Sequence, residues 1–272
     1  MKPAGFDYVC AETLDEALKV LGQYGEEVRI LAGGQSLMPM LNIRLAQPAV
    51  LLDISRCQEL DYVRTEGNEL VVGAAATQAK LEQWPELSQY APLLYQVLPF
   101  ISHFQIRNHG TVCGSIAHAD PSAELPLCLV ALKGSVVLRS ASSQRVVEAD
   151  AFFQGMLTTA LQPGEIIQEV RFPLARPGIQ YAFDEVSMRH GDFALVAIAA
   201  IVDSAHVELT VGGVADRPRT ARWSRLASEE LELAINDFAW SLNAQSDTHA
   251  SAHYRRHLVR QLGRTLIEGA MA

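Results

Sequence analysis

At 272 residues the chain has room for one large or two modest domains, each with its own core. Its 31 acidic residues outweigh 22 Lys and Arg, and the net charge of −9 has the wrong sign for gripping a nucleic-acid backbone. No apolar run reaches bilayer length, so no membrane span is expected.

The first residues, Met1-Lys-Pro-Ala-Gly-Phe6, have no apolar signal core and no twin arginine, so a cytoplasmic protein is expected. Cys10, Cys57, Cys113 and Cys128 are scattered without a Cys-x-x-Cys pair, which gives neither a zinc nor an iron–sulfur site from local sequence. The basic groups at 217–225 and Arg255-Arg256 read as solvated surface.

In chain order, an extended lead-in from Phe6 meets Thr13-Leu-Asp-Glu16, a capping box opening a helix whose apolar face is Leu14, Ala17, Leu18 and Leu21. Gly22 and Gly25 close it. Residues 28–31 form a strand that runs straight into Ala32-Gly33-Gly34-Gln35-Ser36, where two glycines permit positive φ and close backbone approach. Successive N–H groups in such a turn make a concavity suited to an anion. Residues 38–45 are a short helix or irregular turn, and 49–54 and 69–75 are strands. Thr77 caps a helix over 78–83 that Pro85 ends. The apolar spacing of 92–104 fits a helix that Pro99 bends or interrupts.

A second small-residue loop, Gly110-Thr-Val-Cys-Gly-Ser115, precedes Asp120-Pro-Ser-Ala-Glu124. Residues 125–132 form a short apolar helix, 135–139 and 145–147 paired strands, and 166–172 a strand after the Gln162-Pro-Gly-Glu165 turn. A domain boundary falls in the proline-bearing stretch 173–178. Beyond it, 181–188, 194–202 and 206–214 read as three strands and 226–242 and 253–266 as two helices, an α+β arrangement.

No P-loop, no Gly-x-Gly-x-x-Gly after a strand and no Gly-x-Ser-x-Gly elbow occurs. His253 and His257 sit one helical turn apart and read as a surface pair. His103, His109 and His118 lie near Asp120 and Glu124 in sequence. One reading is a general acid–base set; the other has Glu124 accepting hydrogen bonds from ligand hydroxyls while the histidines are incidental. Arg189-His-Gly-Asp-Phe-Ala194 is a hairpin turn that sets Phe193 at a loop tip, where an aromatic ring can cover a planar ligand.

The two glycine loops, Asp120-Pro121, Glu124 and Arg189-x-x-Asp192-Phe193-Ala194 at these separations resemble the FAD-binding subunit of molybdenum hydroxylases. That family includes the medium subunit of aerobic carbon monoxide dehydrogenase and the flavin domain of xanthine dehydrogenase. The resemblance implies an FAD-binding fold of the vanillyl-alcohol-oxidase (PCMH) type over 1–175, in subdomains of roughly 1–56 and 57–175. A three-stranded sheet with helices would follow over 176–272. It implies non-covalent FAD, no catalytic residue, and partners that carry the remaining cofactors: a large molybdopterin subunit and a small subunit with two iron–sulfur clusters, in a dimer of heterotrimers. Electrons would pass from the clusters to the flavin and on to an external acceptor. A self-contained flavin oxidase is the alternative.

The implied cofactor-binding set is Ala32, Gly33, Gly34, Gln35, Ser36, Leu37, Ile101, Gly110, Thr111, Gly114, Ser115, Asp120, Glu124, Ile167, Glu185 and Phe193. Within it the two loops bind the pyrophosphate, Glu124 the ribityl chain, and Phe193 covers the isoalloxazine. Cys113 stands where the family usually has Gly, and Glu185 lies where some relatives have a Lys that touches the flavin.

Overall fold

Three parallel strands, β1 (Asp7–Cys10), β2 (Val28–Leu31) and β3 (Val50–Asp53), form a sheet of order β1-β3-β2 in a computed structural model that describes residues 2–271. Parallel strands need crossover connections, and α1 (Leu14–Tyr24) supplies the one from β1 to β2, burying Ala17, Leu18 and Leu21. Thr13 Oγ1 accepts from the Glu16 N–H at 3.2 Å, as its position predicts. The Glu16 carboxylate reaches one residue further out than in a standard capping box, accepting from the Glu12 N–H at 2.9 Å. The glycine loop leaves β2 and enters α2 (Leu37–Asn42).

The next sheet is antiparallel. It is built from β4 (Val63–Glu66), β5 (Glu69–Gly73), β6 (Ser135–Arg139), β7 (Gln144–Glu148) and, after the small hairpin β8 (Phe153–Gly155) and β9 (Thr158–Thr159), β10 (Ile166–Pro173). Its order is β4-β5-β10-β6-β7, so β10 returns from far along the chain to the centre, with a bulge between Ile167 and Glu169. Between β5 and β6 run α3 (Gln78–Glu82), α4 (Leu87–Tyr90), α5 (Pro92–Val97), α6 (Phe104–Arg107), α7 (Val112–His118) and α8 (Glu124–Ala131); α9 (Ala149–Phe152) follows β7. Pro99 ends the helix expected over 92–104: α5 stops at Val97 and a tight 3-10 turn, Leu98–Phe100, takes the proline in its first turn.

Every residue of α8 is buried. It is wedged among α5, α7 and the C-terminal sheet, which explains why it has no polar face. That last sheet has four strands, not the three expected: β11 (Gln180–Ser187), β12 (Ala194–Val202), β13 (His206–Gly212) and β14 (Arg219–Ser224), in chain order. The basic stretch that reads as plain surface is therefore the edge strand β14, whose charged side chains guard an open edge. The connection from β11 to β12 holds Arg189 to Phe193, the hairpin expected there.

The helices α10 (Ser228–Ser241) and α11 (Ala252–Met271) cover one face of this sheet. Along β12, Val196, Ile198, Ala200 and Val202 join the core beneath those helices, while Ala197, Ala199 and Ile201 face the core of the N-terminal part. Burial on both faces explains a strand that is apolar throughout.

Arg255 of α11 locks the layers. Its side chain is 7% exposed and donates to the carbonyls of Leu195 and Gly213 at 2.6 Å each and to Asp247 at 2.5 Å. Arg255→Met leaves both carbonyls without their donor and should lower stability by about 2–4 kcal/mol. Asp247→Asn, at a partner nearly half exposed, should cost little. Urea unfolding measures both.

Candidate functional site

The two glycine loops, far apart in sequence, meet backbone to backbone. A Cβ added to Gly33 would overlap the His109 carbonyl oxygen and stand 2.6 Å from Gly110 Cα. Gln35 Cγ lies 3.5 Å from where a Gly110 Cβ would be, so the loops touch along their length. Gly34 takes φ +71°, a conformation that L side chains rarely adopt. The Gln35 side chain donates back to the Gly33 carbonyl at 2.9 Å, leaving the turn's N–H groups directed elsewhere. Among the described residues, no protein acceptor takes the N–H of any residue from 33 to 37.

The second loop is fixed from α3. Thr77 and Thr111 form an isolated antiparallel bridge, with the Gln78 N–H donating to the Gly110 carbonyl at 2.8 Å and the Val112 N–H to the Ala76 carbonyl at 3.2 Å. Both threonines cap helices: Thr77 Oγ1 accepts from the Lys80 N–H at 3.1 Å, and Thr111 Oγ1 from the Gly114 N–H at 3.0 Å. The N–H groups of Thr111 and Cys113 have no protein acceptor among the described residues. A Cβ on Gly114 would stand 2.6 Å from Thr111 Oγ1, so this glycine makes room for the cap itself.

Cys113 turns its thiol away from the loop. Sγ donates to the Val72 carbonyl at 3.4 Å inside the core, and burial pushes the thiol well above its ordinary pKa. The backbone at 113 stays on the loop, so the departure from glycine changes the core rather than the loop surface.

After α7 the chain reverses at Ala119, which takes φ +53°. Asp120 Oδ1 then accepts from the Ser122 N–H at 2.8 Å, and Glu124 opens α8. Glu124 is 7% exposed, and burial, with Asp120 adding repulsion, pushes its carboxyl up to about 7. Glu185, on β11, is pushed up to about 8 by burial, then by Glu124 and Asp184. Its Oε2 is enclosed without a hydrogen-bond partner. The structure thus brings near each other two buried carboxyl groups 61 positions apart (185 − 124), neither paired with a cation.

Ile101 and Ile167 are buried in the large core. Phe193 is 63% exposed at its loop tip. Gly191 of that loop, at φ +85°, presses on Ser102 and His103: a Cβ there would come within 3.0 Å of the Ser102 carbonyl oxygen. The side chains of His103 and His109 are exposed, and no hydrogen bond or ion pair joins His103, His109 or His118 to Asp120 or Glu124. The geometry favours the reading in which the histidines are incidental.

Sequence reasoning missed Gln78 and Arg107. Gln78 is 5% exposed, carries an unpartnered Oε1, and packs 3.3 Å from the Cβ position of Gly110. Nothing about a glutamine after a capping threonine marks it as buried; the bridge between the two threonines, a long-range contact, puts it there. Two surface hollows lie elsewhere, between α10 and α11 and beside Trp84.

The residues present fit a dinucleotide: unpaired N–H groups on two touching loops for a diphosphate, and buried carboxyls, Glu185 with an unpartnered oxygen, for hydroxyl or ring N–H groups. The comparisons agree. A family model described as the FAD binding domain in molybdopterin dehydrogenase matches residues 4–175. The alpha subunit of the 6-hydroxypseudooxynicotine dehydrogenase complex of Paenarthrobacter nicotinovorans is 36% identical over 285 residues, covering 100% of this chain and 95% of its own length. A chain of carbon monoxide dehydrogenase from Hydrogenophaga pseudoflava, in a form lacking the Mo-pyranopterin moiety of its molybdenum cofactor, superposes with a TM-score of 0.94 at 30% identity, covering 100% of this chain and 99% of that one. Quinoline 2-oxidoreductase from Pseudomonas putida 86 gives 0.93 at 31% identity, covering 99% and 98%.

Two outcomes follow from the geometry. A carboxyl whose folded pKa is raised adds stability below its unfolded pKa and loses it as pH rises through the folded value. Glu185→Gln should therefore raise the melting temperature of the FAD-free chain more at about pH 9 than at about pH 5, by several degrees. A benefit that is flat with pH would contradict a buried ionising carboxyl at 185. Cys113 should resist a thiol reagent until the chain unfolds, while the half-buried Cys10 reacts in the native state; mass spectrometry of the labelled chain reads both.

Proposed function

Since the chain belongs to the FAD-binding family of the molybdopterin dehydrogenases, we propose that it is the FAD-bearing electron-transfer subunit of a molybdenum hydroxylase complex. The observation that carries this reading is the pair of touching loops with their run of N–H groups lacking protein acceptors. In this reading the fold is of the PCMH type, with residues 1–175 as its flavin part and 176–272 as the C-terminal part. A large molybdopterin subunit hydroxylates the substrate, a small subunit with two iron–sulfur clusters delivers the electrons, and the assembly is a dimer of heterotrimers.

Bound non-covalently, FAD supplies two-electron uptake and one-electron exchange, chemistry that no side chain provides. The chain's own residues bind and orient. Ala32, Gly33, Gly34, Gln35, Ser36 and Leu37 present N–H groups to one side of the diphosphate, and Gly110, Thr111, Gly114 and Ser115 close the other. Glu124 would accept from a ribityl hydroxyl, a partner for a buried carboxyl that meets no cation. Asp120 shapes the turn that aims Glu124. Ile101 and Ile167 would give the ring an apolar wall, Phe193 would cover it, and Glu185 would lie beside it.

No residue of this chain needs to act on the organic substrate. The relatives named above are complexes for different compounds, which accords with a substrate site on another subunit.

The purified chain should be yellow, and acid precipitation should release stoichiometric FAD to the supernatant; flavin left in the pellet would rule out non-covalent binding. Gly33→Val should abolish FAD uptake and also lower the melting temperature, because the new side chain drives the two loops apart. Gly22→Ala, with open space at its Cβ, should preserve both. A Gly33→Val chain with full flavin content would remove this loop from the site.

A further inference from the structure

Arg107 lies on the short helix α6, between the turn that seats the Phe193 loop and the second glycine loop. Its side chain is only 12% exposed. Nε and one terminal nitrogen make a two-pronged pair with Glu82 of α3, at 2.9 and 3.1 Å. The remaining nitrogen, Nη1, donates to the Ile101 carbonyl at 3.0 Å and leans toward the Ser102 carbonyl at 3.5 Å.

Those carbonyls belong to an unusual turn. Ser102 takes φ +45°, a left-handed conformation that a non-glycine residue holds only when its surroundings impose it. Its carbonyl group and the His103 ring form the seat for Gly191, which packs so closely that a Cβ would stand 2.9 Å from His103 Cε1 and 3.0 Å from the Ser102 oxygen. From Gly191 the chain runs through Asp192, paired with Arg189 at 3.1 Å, to Phe193. The Phe193 ring is largely exposed, so neighbouring core does not hold it; the loop does.

At the other end, α3 holds the second glycine loop through the Thr77–Thr111 bridge and the Gln78 N–H. A helix of five residues thus grips the glycine loop with its first turn and, through Glu82 and Arg107, the Ser102 turn with its last.

We propose that Arg107, oriented by Glu82, is a positioning residue for the flavin ring. It fixes the Ile101–Ser102 turn on which Gly191 sits, and so fixes where Phe193 stands over the ring, without touching the cofactor. This rests on the reading that the chain binds FAD. The first loop's share of the diphosphate grip is separate, since no hydrogen bond links Arg107 to residues 33–37.

A purely structural ion pair and a positioning residue differ in what the flavin and the loop report. In the FAD-loaded full chain, Arg107→Met should keep its flavin yet change flavin fluorescence about twofold or more. Phe193→Ala should do the same, and the double variant should show no further change, because both remove one arrangement. Glu82→Gln, which leaves the carbonyl bonds of Arg107 in place, should shift fluorescence less. Trypsin supplies a readout independent of flavin. Arg189 is 83% exposed on the loop, and cleavage there in the FAD-free chain should rise about fivefold in Arg107→Met.

A lowered melting point with unchanged fluorescence and unchanged cleavage at Arg189 would reduce Arg107 to a structural pair and overturn the proposal. So would additive effects of Arg107→Met and Phe193→Ala. If Arg107→Met does not fold, Arg107→Lys, which keeps the charge but not the fork, is read in the same two assays and decides by the same outcomes. A parent chain that takes up no FAD, while Arg107→Met still loosens the loop, would overturn the flavin reading and the ring-positioning role with it but leave the loop linkage standing, which separates the two failures.

Discussion

The arrangement depends on one contact between main chains, Gly33 against His109 and Gly110. It exists because position 33 has no side chain, and it brings the loop after β2 alongside the loop before α7, although a whole sheet edge and five helices lie between them in sequence. Each loop is shaped locally: the first by the positive φ of Gly34, the second by the Thr111 cap and the bridge to Thr77. Their pairing is not local. A single N–H concavity is a common turn; here two such turns are held edge to edge. Close approach without hydrogen bonds between the loops leaves the polar groups of both free to face the same way.

The electrostatics of the other end follow from packing. Helix α8 is buried on every side, so its first residue, Glu124, is buried with it and meets no cation. Glu185 approaches from β11 with Asp184 beside it, and together they make a region where negative charge is costly. Structural carboxylates elsewhere in the chain are treated differently. Glu165 is also buried, but Arg145 answers it with two hydrogen bonds at 2.7 and 2.8 Å, and its carboxyl is held below the usual range. The contrast between Glu165, paired with Arg145, and Glu124 and Glu185, which meet no cation, separates a carboxylate held charged by its partner from two that burial pushes toward the neutral form.

What the sequence reveals and what it hides follows the range of the interactions. The capping threonines at 13 and 77, the strand that runs into the first glycine turn, and the hairpin ending at Phe193 are all local, and each was legible in a few residues. The edge strand β14 was not, since Arg219-Thr-Ala-Arg-Trp-Ser224 has the polarity of a surface loop and becomes a strand only by pairing with β13. Strand β4 is likewise a polar edge, and β1 is too short to stand out until β3 lies beside it. In the candidate site the glycines were legible because glycine is itself a backbone signal, and Glu124 followed from its place after the second loop. Gln78, Glu82 and Arg107 were not: their roles come from the bridge at Thr77 and the turn at Ser102, contacts that no periodicity encodes. Cys113 shows the converse, a conspicuous residue at a conspicuous position whose thiol faces the core.

The alternation along β12 bears on how the chain can be taken apart. One face of the strand completes the core under α10 and α11, and the other completes the core that surrounds α8, with Phe183 and Ala194 on the same side. The family match ends at residue 175, but the hydrophobic interior does not divide there. A cut at that point would strip α8 of its cover and leave an apolar wall, and the stub carrying both glycine loops would face water where β12 and β13 now lie. The flavin half is therefore not a cassette that can be moved to another scaffold by itself. Any transplant, fusion or circular rearrangement has to carry the terminal sheet along, because that sheet is a shared wall between two rooms.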